Sequence, residues 1–205
     1  IIYSRSLNDY FTKVISVHPV STIDEQDSYK EKYGNFNIIK LDSKHYYIEG
    51  KIGYFKSLKF LNSINFLIAQ IQLFIFLKKY IKDEKINFIK AGSPNYAGLF
   101  AYMLSKFTSI PYILRIGSNN DKIYEVTKRP IEKRFFKLRI VEKFFEKKII
   151  KNASHIIAAN NNNLNFALKN SARLNNSSVI RYSSLVNSLH YVDPKDRMFD
   201  INLFQ

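Results

Sequence analysis

The sequence contains no cysteine and comparatively few acidic residues. With no cysteine among 205 residues, disulfide bonds and thiolate metal sites are excluded outright. Asp and Glu number 17 against 32 Lys and Arg, a formal net charge of +15. So large an excess favours an anionic partner: nucleic acid, acidic lipid headgroups or a phosphorylated substrate. With 46% hydrophobic residues, the chain has the composition of a folded protein with one substantial core.

Several catalytic and phosphate-binding motifs are also missing. Neither GxGxxG nor GxxxxGK[ST] occurs, and without GxSxG a hydrolase has no positive support. The histidines are scattered, and none has a second ligand at helical or turn spacing. They are His18, His45, His155 and His190. We therefore expect no metal and no cofactor in this part of the protein.

The most apolar stretch, residues 66–77, is too short to cross a bilayer. It is interrupted only by Gln70 and Gln72 and lies within a helical pattern over residues 54–82. A membrane span needs about 20 such residues. The pattern favours a helix buried against a sheet, and a helix lying on a membrane surface is the alternative.

A βαβ unit over residues 86–121 organises the rest of the chain. The spacing predicts a strand over 86–89, a break at Gly92, Ser93 and Pro94, a helix, and a second strand over 112–116. A loop of small and polar residues, 117–121, follows. In open α/β sheets ligands bind in the loops at the carboxyl ends of strands, so function is expected here.

The remaining elements extend this unit into one α/β domain. The patterns predict strands at 13–17, 36–41, 155–159 and 178–182, a short extended or loop segment at 46–53, helices at 2–11 and 129–152, and a helix with a turn at 160–170. Residues 21–33 are polar and loop-like or weakly helical. Alternation of strands and helices predicts an open, mostly parallel sheet covered on both faces.

Polar residues in the two loops are the candidate ligand contacts. Ser93 and Asn95 either cap the following helix or bind an anion or a hydroxyl-rich ligand. Arg115, near the end of a buried strand, needs a partner: Asp121, or an anionic group of the substrate. The full set is Ser93, Asn95, Tyr96, Arg115, Ser118, Asn119, Asn120 and Asp121.

The helix predicted over residues 129–152 is strongly basic. Its apolar stripe is formed by Phe135, Phe136, Leu138, Val141, Phe144, Phe145 and Ile149. A solvated face above a packed stripe is the favoured interpretation, with contact to an anionic membrane next. Nucleic acid is a less favoured partner, because the aromatic residues lie on the stripe that must pack and leave few for base stacking.

Three segments in order resemble the N-terminal domain of family 4 glycosyltransferases, enzymes of the two-domain GT-B fold. They are AGSPNYAGLFAYMLSKFTSIPYILRIGSNND (91–121), NASHIIAANNNNLNFALKNSA (152–172) and SVIRYSSLVNSLHYVDP (178–194). The resemblance covers nearly the whole chain from about Lys13, and the segment at Pro111 is its most specific part. It implies a Rossmann-like sheet forming one half of a GT-B fold.

The resemblance also implies a function. It points to a retaining, hexosyl-type transferase that moves a sugar from a UDP- or GDP-linked donor to a lipid-linked or glycan acceptor, in polysaccharide biosynthesis. The N-terminal domain would bind the acceptor at the eight candidate residues, and a C-terminal domain would hold the nucleotide sugar. We expect residues 1–205 to form this single acceptor-side domain, lacking its first strand and the C-terminal domain, and to be inactive alone. The expected location is cytoplasmic, peripheral on the inner face of the membrane.

The chain departs from that family at several positions. Lys90 and Gly92 stand where histidines are common, Ile116 stands where a histidine often ends the strand, and Ser183 and Ser184 replace an Asn-Gly pair. No catalytic residue can therefore be transferred, and recognition is expected to rest on residues 115–121. The alternative function is a non-catalytic basic α/β module that binds acidic lipid or nucleic acid.

Overall fold

A computed structural model describes residues 11–20, 32–132 and 135–181, apart from the side chains of residues 58–60. Its first part is a three-stranded sheet followed by a long helix. The elements are β1 (Val14–His18), β2 (Asn37–Lys40), β3 (His45–Glu49), a 3₁₀ helix (Lys56–Leu61) and α1 (Asn62–Asp83). The strand order is β1-β3-β2, with β1 parallel and β2 antiparallel to β3. All four residues of β2 are exposed, as expected of an edge strand.

The second part is a four-stranded, fully parallel sheet with helices between its strands. Its elements are β4 (Ile89–Ala91), α2 (Tyr96–Thr108), β5 (Tyr112–Ile116), α3 (Asn120–Thr127), α4 (Arg139–Asn152), β6 (His155–Ala158), α5 (Asn161–Lys169), a 3₁₀ helix (Leu174–Asn176) and β7 (Ser177–Val179). The strand order is β4-β5-β6-β7. The predicted α/β class, a Rossmann-like parallel sheet flanked by helices, is confirmed.

α1 connects the two sheets through their cores. One cluster joins Leu73, Leu77 and Ile81 of α1 to Ile48 of β3 and to the α2 residue Phe100. A second cluster lies between the parallel sheet, α2, α4 and α5. The sequence pattern predicted one sheet, whereas the described strands form two. In the first sheet β1 pairs with β3, and in the second β4 pairs with β5.

Most predicted elements are observed, with two corrections in the βαβ unit. The strand expected over 86–89 is Ile89–Ala91, since Ile86 packs into the core beneath α1 before the sheet begins. Residues 120–121 belong to helix α3 and not to a loop, because the Asn119 side chain caps that helix. Some predictions fall outside the described residues. They concern the helix at 2–11, of which only Phe11 is described, most of the segment at 21–33, and residue 182.

The basic helix α4 differs most from its prediction. It begins at Arg139, ten residues later than expected, and the stripe predicted to pack is partly wrong: Leu138, Val141 and Phe144 are exposed. The buried side instead carries two glutamates with Ile149 and Ile150. Hydrogen bonds and ion pairs to these carboxylates make their burial favourable, as described below.

Helix α1 combines the composition of a membrane span with a side that packs in the core. By length and composition it is the one helix in the described part of the chain that could cross a membrane, with 22 residues and a mean hydropathy of 1.4 over an 18-residue window. Its inner side nevertheless packs as predicted, with Leu73 fully buried. Gln70, also buried, donates to the carbonyl oxygens of Pro19 at 3.0 Å and Lys51 at 3.2 Å. α1 is therefore a core helix on that side.

Candidate functional site

The carboxyl ends of β4, β5 and β6 lie side by side, at Ala91, Ile116 and Ala158. The connections that follow these ends form what we call the rim. A Cβ atom added at Gly92, in the first connection, would meet no atom within 4 Å. Gly117, in the second, is exposed. The rim therefore borders open space that a ligand can enter.

Asparagine side chains join the first two connections. Asn120 donates its amide to Asn95 Oδ1 at 2.9 Å, and the Ser118 hydroxyl donates to Asn120 Oδ1 at 3.2 Å. Asn120 is fully buried, whereas Ser118 is exposed. Ser93 contributes in another way, because Gly98 lets α2 approach its carbonyl oxygen closely. The structure thus brings together four of the predicted contact residues.

The third connection adds asparagines that were not among the predicted contacts. Asn119 donates to Asn162 Oδ1 at 3.4 Å, and Asn119 also caps α3 by accepting from Lys122 N at 3.2 Å. Asn160 caps α5 by accepting from Asn163 N at 2.9 Å. The run of four asparagines at 160–163 was visible in the sequence as a signal. Its spatial closeness to Asn119 follows only from the parallel pairing of β5 and β6.

Tyr96 turns its hydroxyl inward. It donates to Gln70 Oε1 at 2.8 Å, and its ring stacks on Phe135 with centroids 4.2 Å apart. Burial raises the pKa of Tyr96 well above its usual value, so the phenol stays protonated. Tyr96 thereby ties the start of α2 to α1.

Arg115 lies on β5 one residue before Ile116. Its half-buried position alternates with the buried Leu114 and Ile116, so its side chain leaves the sheet on the opposite side from theirs. Asp121, the partner considered for it, forms ion pairs with Arg139 at 2.8 Å and with Lys143 at 2.5 Å.

A buried ionic network holds α4 beneath the rim. Glu142 and Glu146, one helical turn apart, are each 1% exposed. Arg139 donates to Glu142 at 2.6 Å and to Glu146 at 2.7 Å, and Asn120 donates to the other oxygen of Glu146. Glu142 also accepts from the backbone nitrogens of residues 131 and 132 at 3.2 and 2.8 Å. Every carboxylate oxygen of the two glutamates has a donor, so the network is suited to positioning and not to proton transfer.

The surroundings of Asp121 and Arg139 favour the charged form of each side chain. Burial raises the pKa of Asp121, but hydrogen bonds from Lys143 and Arg139 outweigh it and hold that pKa below the usual value. For Arg139, burial opposes the charge, while the hydrogen bonds to Glu146 and Glu142 raise its pKa. The amide of Asn170 reaches Asp121 at 3.4 Å. Asp121 is thus a member of the network as well as a rim residue.

Sequence reasoning missed the network residues on α4. Arg139, Glu142 and Glu146 recur at spacings of three and four, which places them on one side of a helix. That signal was present in a segment interpreted only by its excess of Lys and Arg. No group of three His, Asp or Glu side chains in the described ranges could hold a metal ion.

The comparisons with known proteins are sparse. No family model matches the chain, and no curated protein matches it. Among solved structures, it is similar to the sucrose-phosphate synthase (tll1590) from Thermosynechococcus elongatus, with a TM-score of 0.49 and 15% sequence identity over 70% of this chain. The chain spans about a third of the length of that enzyme, 34%.

Proposed function

We propose that this chain is the acceptor-side domain of a GT-B glycosyltransferase, which transfers a sugar from a UDP- or GDP-linked donor to a lipid-linked or glycan acceptor. The observation that carries the proposal is the rim. Three successive strand-to-helix connections bring amide and hydroxyl groups together at the carboxyl edge of a parallel sheet. The sequence resemblance covers the same three connections.

The chemistry of the rim suits a sugar. Each Asn side chain offers a carbonyl acceptor and two N–H donors, and each Ser hydroxyl can donate and accept, so the rim complements the mixed hydrogen-bonding of sugar hydroxyls. Ligands of open α/β sheets bind at this edge. An unpaired nucleophile or general base is not needed here, because the resemblance assigns the donor site to a second domain.

The candidate residues divide into two roles under this proposal. Ser118, Asn119 and Asn162, at the outer side of the rim, contact the acceptor, and Arg115 binds an anionic group such as its phosphate. The others position these groups. They are Ser93, Asn95, Tyr96, Asn120 and Asp121.

The finer features implied by the resemblance belong to the same proposal. These are a retaining, hexosyl-type reaction, a role in polysaccharide biosynthesis, a cytoplasmic location, and a donor site outside this domain. The chain alone would bind acceptor without transferring sugar to it.

Transfer assays on the complete gene product test the proposal. UDP- and GDP-linked hexoses are offered with lipid-linked and glycan acceptors, and the double variant Asn119→Ala/Asn162→Ala is compared with the wild type. We expect the KM for the acceptor to rise roughly tenfold, as loss of two hydrogen bonds predicts, with the KM for the donor unchanged. Asn35→Ala, at an exposed position in the bend before β2, is the matched control.

Arg115→Ala gives a second measurement. Transfer should be impaired while the circular dichroism spectrum and melting temperature stay near those of the wild type. If no donor supports transfer, and the protein instead binds nucleic acid or acidic lipid as its main activity, the non-catalytic basic module is the better function.

A further inference from the structure

The outward side of α1 is apolar where a soluble helix is normally polar. Ile64, Leu67, Ile71 and Ile75 are 53%, 57%, 46% and 58% exposed. Their spacing of three, four and four places them along one line of the helix. The line is about 16 Å long at 1.5 Å per residue. We call these four residues the α1 stripe.

α2 broadens this apolar surface. Phe107, 56% exposed, packs edge-to-face against Phe74 of α1 with centroids 5.6 Å apart, and Met103 is exposed one turn earlier. α2 in turn packs against α4. There Ile140 and Phe144 are exposed. Helices α1, α2 and α4, which contact one another in that order, therefore each carry exposed large apolar side chains, well beyond the isolated exposed residues of ordinary surfaces.

The same line of α1 becomes basic in its last turns. Lys78 and Lys82 continue the α1 stripe at the spacing of a helix face, and Lys79 lies beside them. Lys78 Nζ is 5.8 Å from the centre of the Phe107 ring. Glu84, an acid at this end, is ion-paired with Lys13. An apolar stripe that ends in lysines is complementary to a surface with an anionic layer above hydrocarbon.

A cleft lies at this basic end, between the carboxyl ends of α1 and α2. Its volume is about 390 Å³. Three lysines, Lys78, Lys82 and Lys85, line it together with Ile110 and Phe107. Positive charge beside apolar side chains suits the phosphate and glycerol parts of a lipid headgroup.

From these observations we infer that the outward face of α1 and α2 docks on an anionic lipid membrane. The α1 stripe and Phe107 enter the boundary between headgroups and acyl chains, and the lysines bind headgroups in and around the cleft. α1 does not cross the bilayer, because its inner side is packed in the core. A second copy of this chain is a poorer occupant, since a net charge of +15 on each copy opposes a self-contact.

Vesicle co-sedimentation of the complete gene product, without sugar donor or acceptor, tests the inference. The vesicles are phosphatidylcholine alone or phosphatidylcholine with phosphatidylglycerol. We expect binding to the anionic vesicles that weakens as salt is raised, and little binding to the neutral ones. Ile71→Glu/Ile75→Glu should weaken binding about tenfold or more, because it removes apolar insertion and adds negative charge.

Charge variants and controls complete the design. Lys78→Glu/Lys82→Glu should reduce both the affinity for anionic vesicles and its dependence on salt. The matched controls are Leu174→Glu for the apolar change and Lys32→Glu/Lys40→Glu for the charge change, at exposed positions outside the α1–α2 surface. The inference is overturned if the wild type does not bind anionic vesicles, or if the controls lose as much binding as the test variants. It is also overturned if light scattering shows a dimer that Ile71→Glu/Ile75→Glu dissociates. None of these outcomes bears on sugar transfer.

Discussion

Asn120 and Glu146, from helices α3 and α4, are joined by a hydrogen bond in which the buried amide donates to the buried carboxylate. The same amide reaches Asn95 at the start of α2. A single side chain thus fixes two connections of the rim to the helix beneath them.

Asn120→Ala should destabilise the protein. The variant leaves the buried carboxylate of Glu146 and the half-buried amide oxygen of Asn95 without the donor they share. Loss of the donor to a buried acceptor costs about 1–3 kcal/mol. Urea unfolding followed by circular dichroism measures the change. Asn162→Ala, whose hydrogen bond is exposed, should change the free energy of unfolding by less than about 0.5 kcal/mol. Equal losses in the two variants would remove the structural role of Asn120.

Arg139→Met should be more damaging. The guanidinium is the donor shared by Glu142 and Glu146, and without it two carboxylates stay buried with reduced compensation. Removing one partner of a buried ion pair costs about 3–5 kcal/mol. Lys147→Met, at an exposed position of the same helix, is the control. Adding Glu146→Gln to Arg139→Met should restore part of the lost stability, and a simple sum of the two single effects would contradict the coupling.

Asp121 should make the protein sensitive to acid. Its pKa is lower in the folded protein than its usual value, so at low pH the unfolded chain takes up the proton first. The stabilisation is therefore present above about pH 4 and is lost as the pH falls through the folded-state pKa. Melting temperatures between pH 6 and pH 2 should fall less steeply for Asp121→Asn than for the wild type. Parallel curves would show that other carboxyl groups dominate.

Two glycines near the rim should respond oppositely to alanine. At Gly98 a Cβ atom would lie 2.4 Å from the Ser93 carbonyl oxygen and 3.2 Å from Ile149 Cγ2. Gly98→Ala must therefore shift the first connection of the rim, at a cost of about 1–3 kcal/mol. Gly92→Ala meets open space and should be neutral or slightly stabilising. The melting temperatures of both variants check this. A melting temperature of Gly98→Ala equal to that of the wild type would mean that α2 adjusts without strain.

The bounds of two strands were predicted with different accuracy. The bounds of β5 were predicted correctly because Pro111 and Gly117 punctuate an apolar run. The start of β4 was predicted three residues early. An apolar run alone does not distinguish the residues of a strand from the buried residues that precede it. The location of the rim was predicted from the loops that follow the strands. Which side chains lie together there is visible only in the folded structure.

The interior of the network was beyond sequence reasoning for a physical reason. Glu142 and Glu146 are polar in any hydropathy pattern, and only the donors that reach them from α3 and from residues 131–132 make their burial favourable. For the α1 stripe the hydropathy pattern was wrong in the opposite sense, because it predicted burial for side chains that are exposed. An apolar residue predicts burial, yet four of them face outward on a helix whose other side supplies the core.

The direction of α1 gives the proposed membrane contact an orientation. Its early turns lie near the rim, where Gln70 meets Tyr96, and its lysines lie at the opposite edge, where Lys78 meets Phe107. With the α1 stripe at the boundary between headgroups and acyl chains, the sheet stands one helix diameter, about 10 Å, above that boundary. The rim would then open sideways, parallel to the membrane. An acceptor must hold its reacting hydroxyl at that height, and neutron reflectometry of the bound protein measures the height directly.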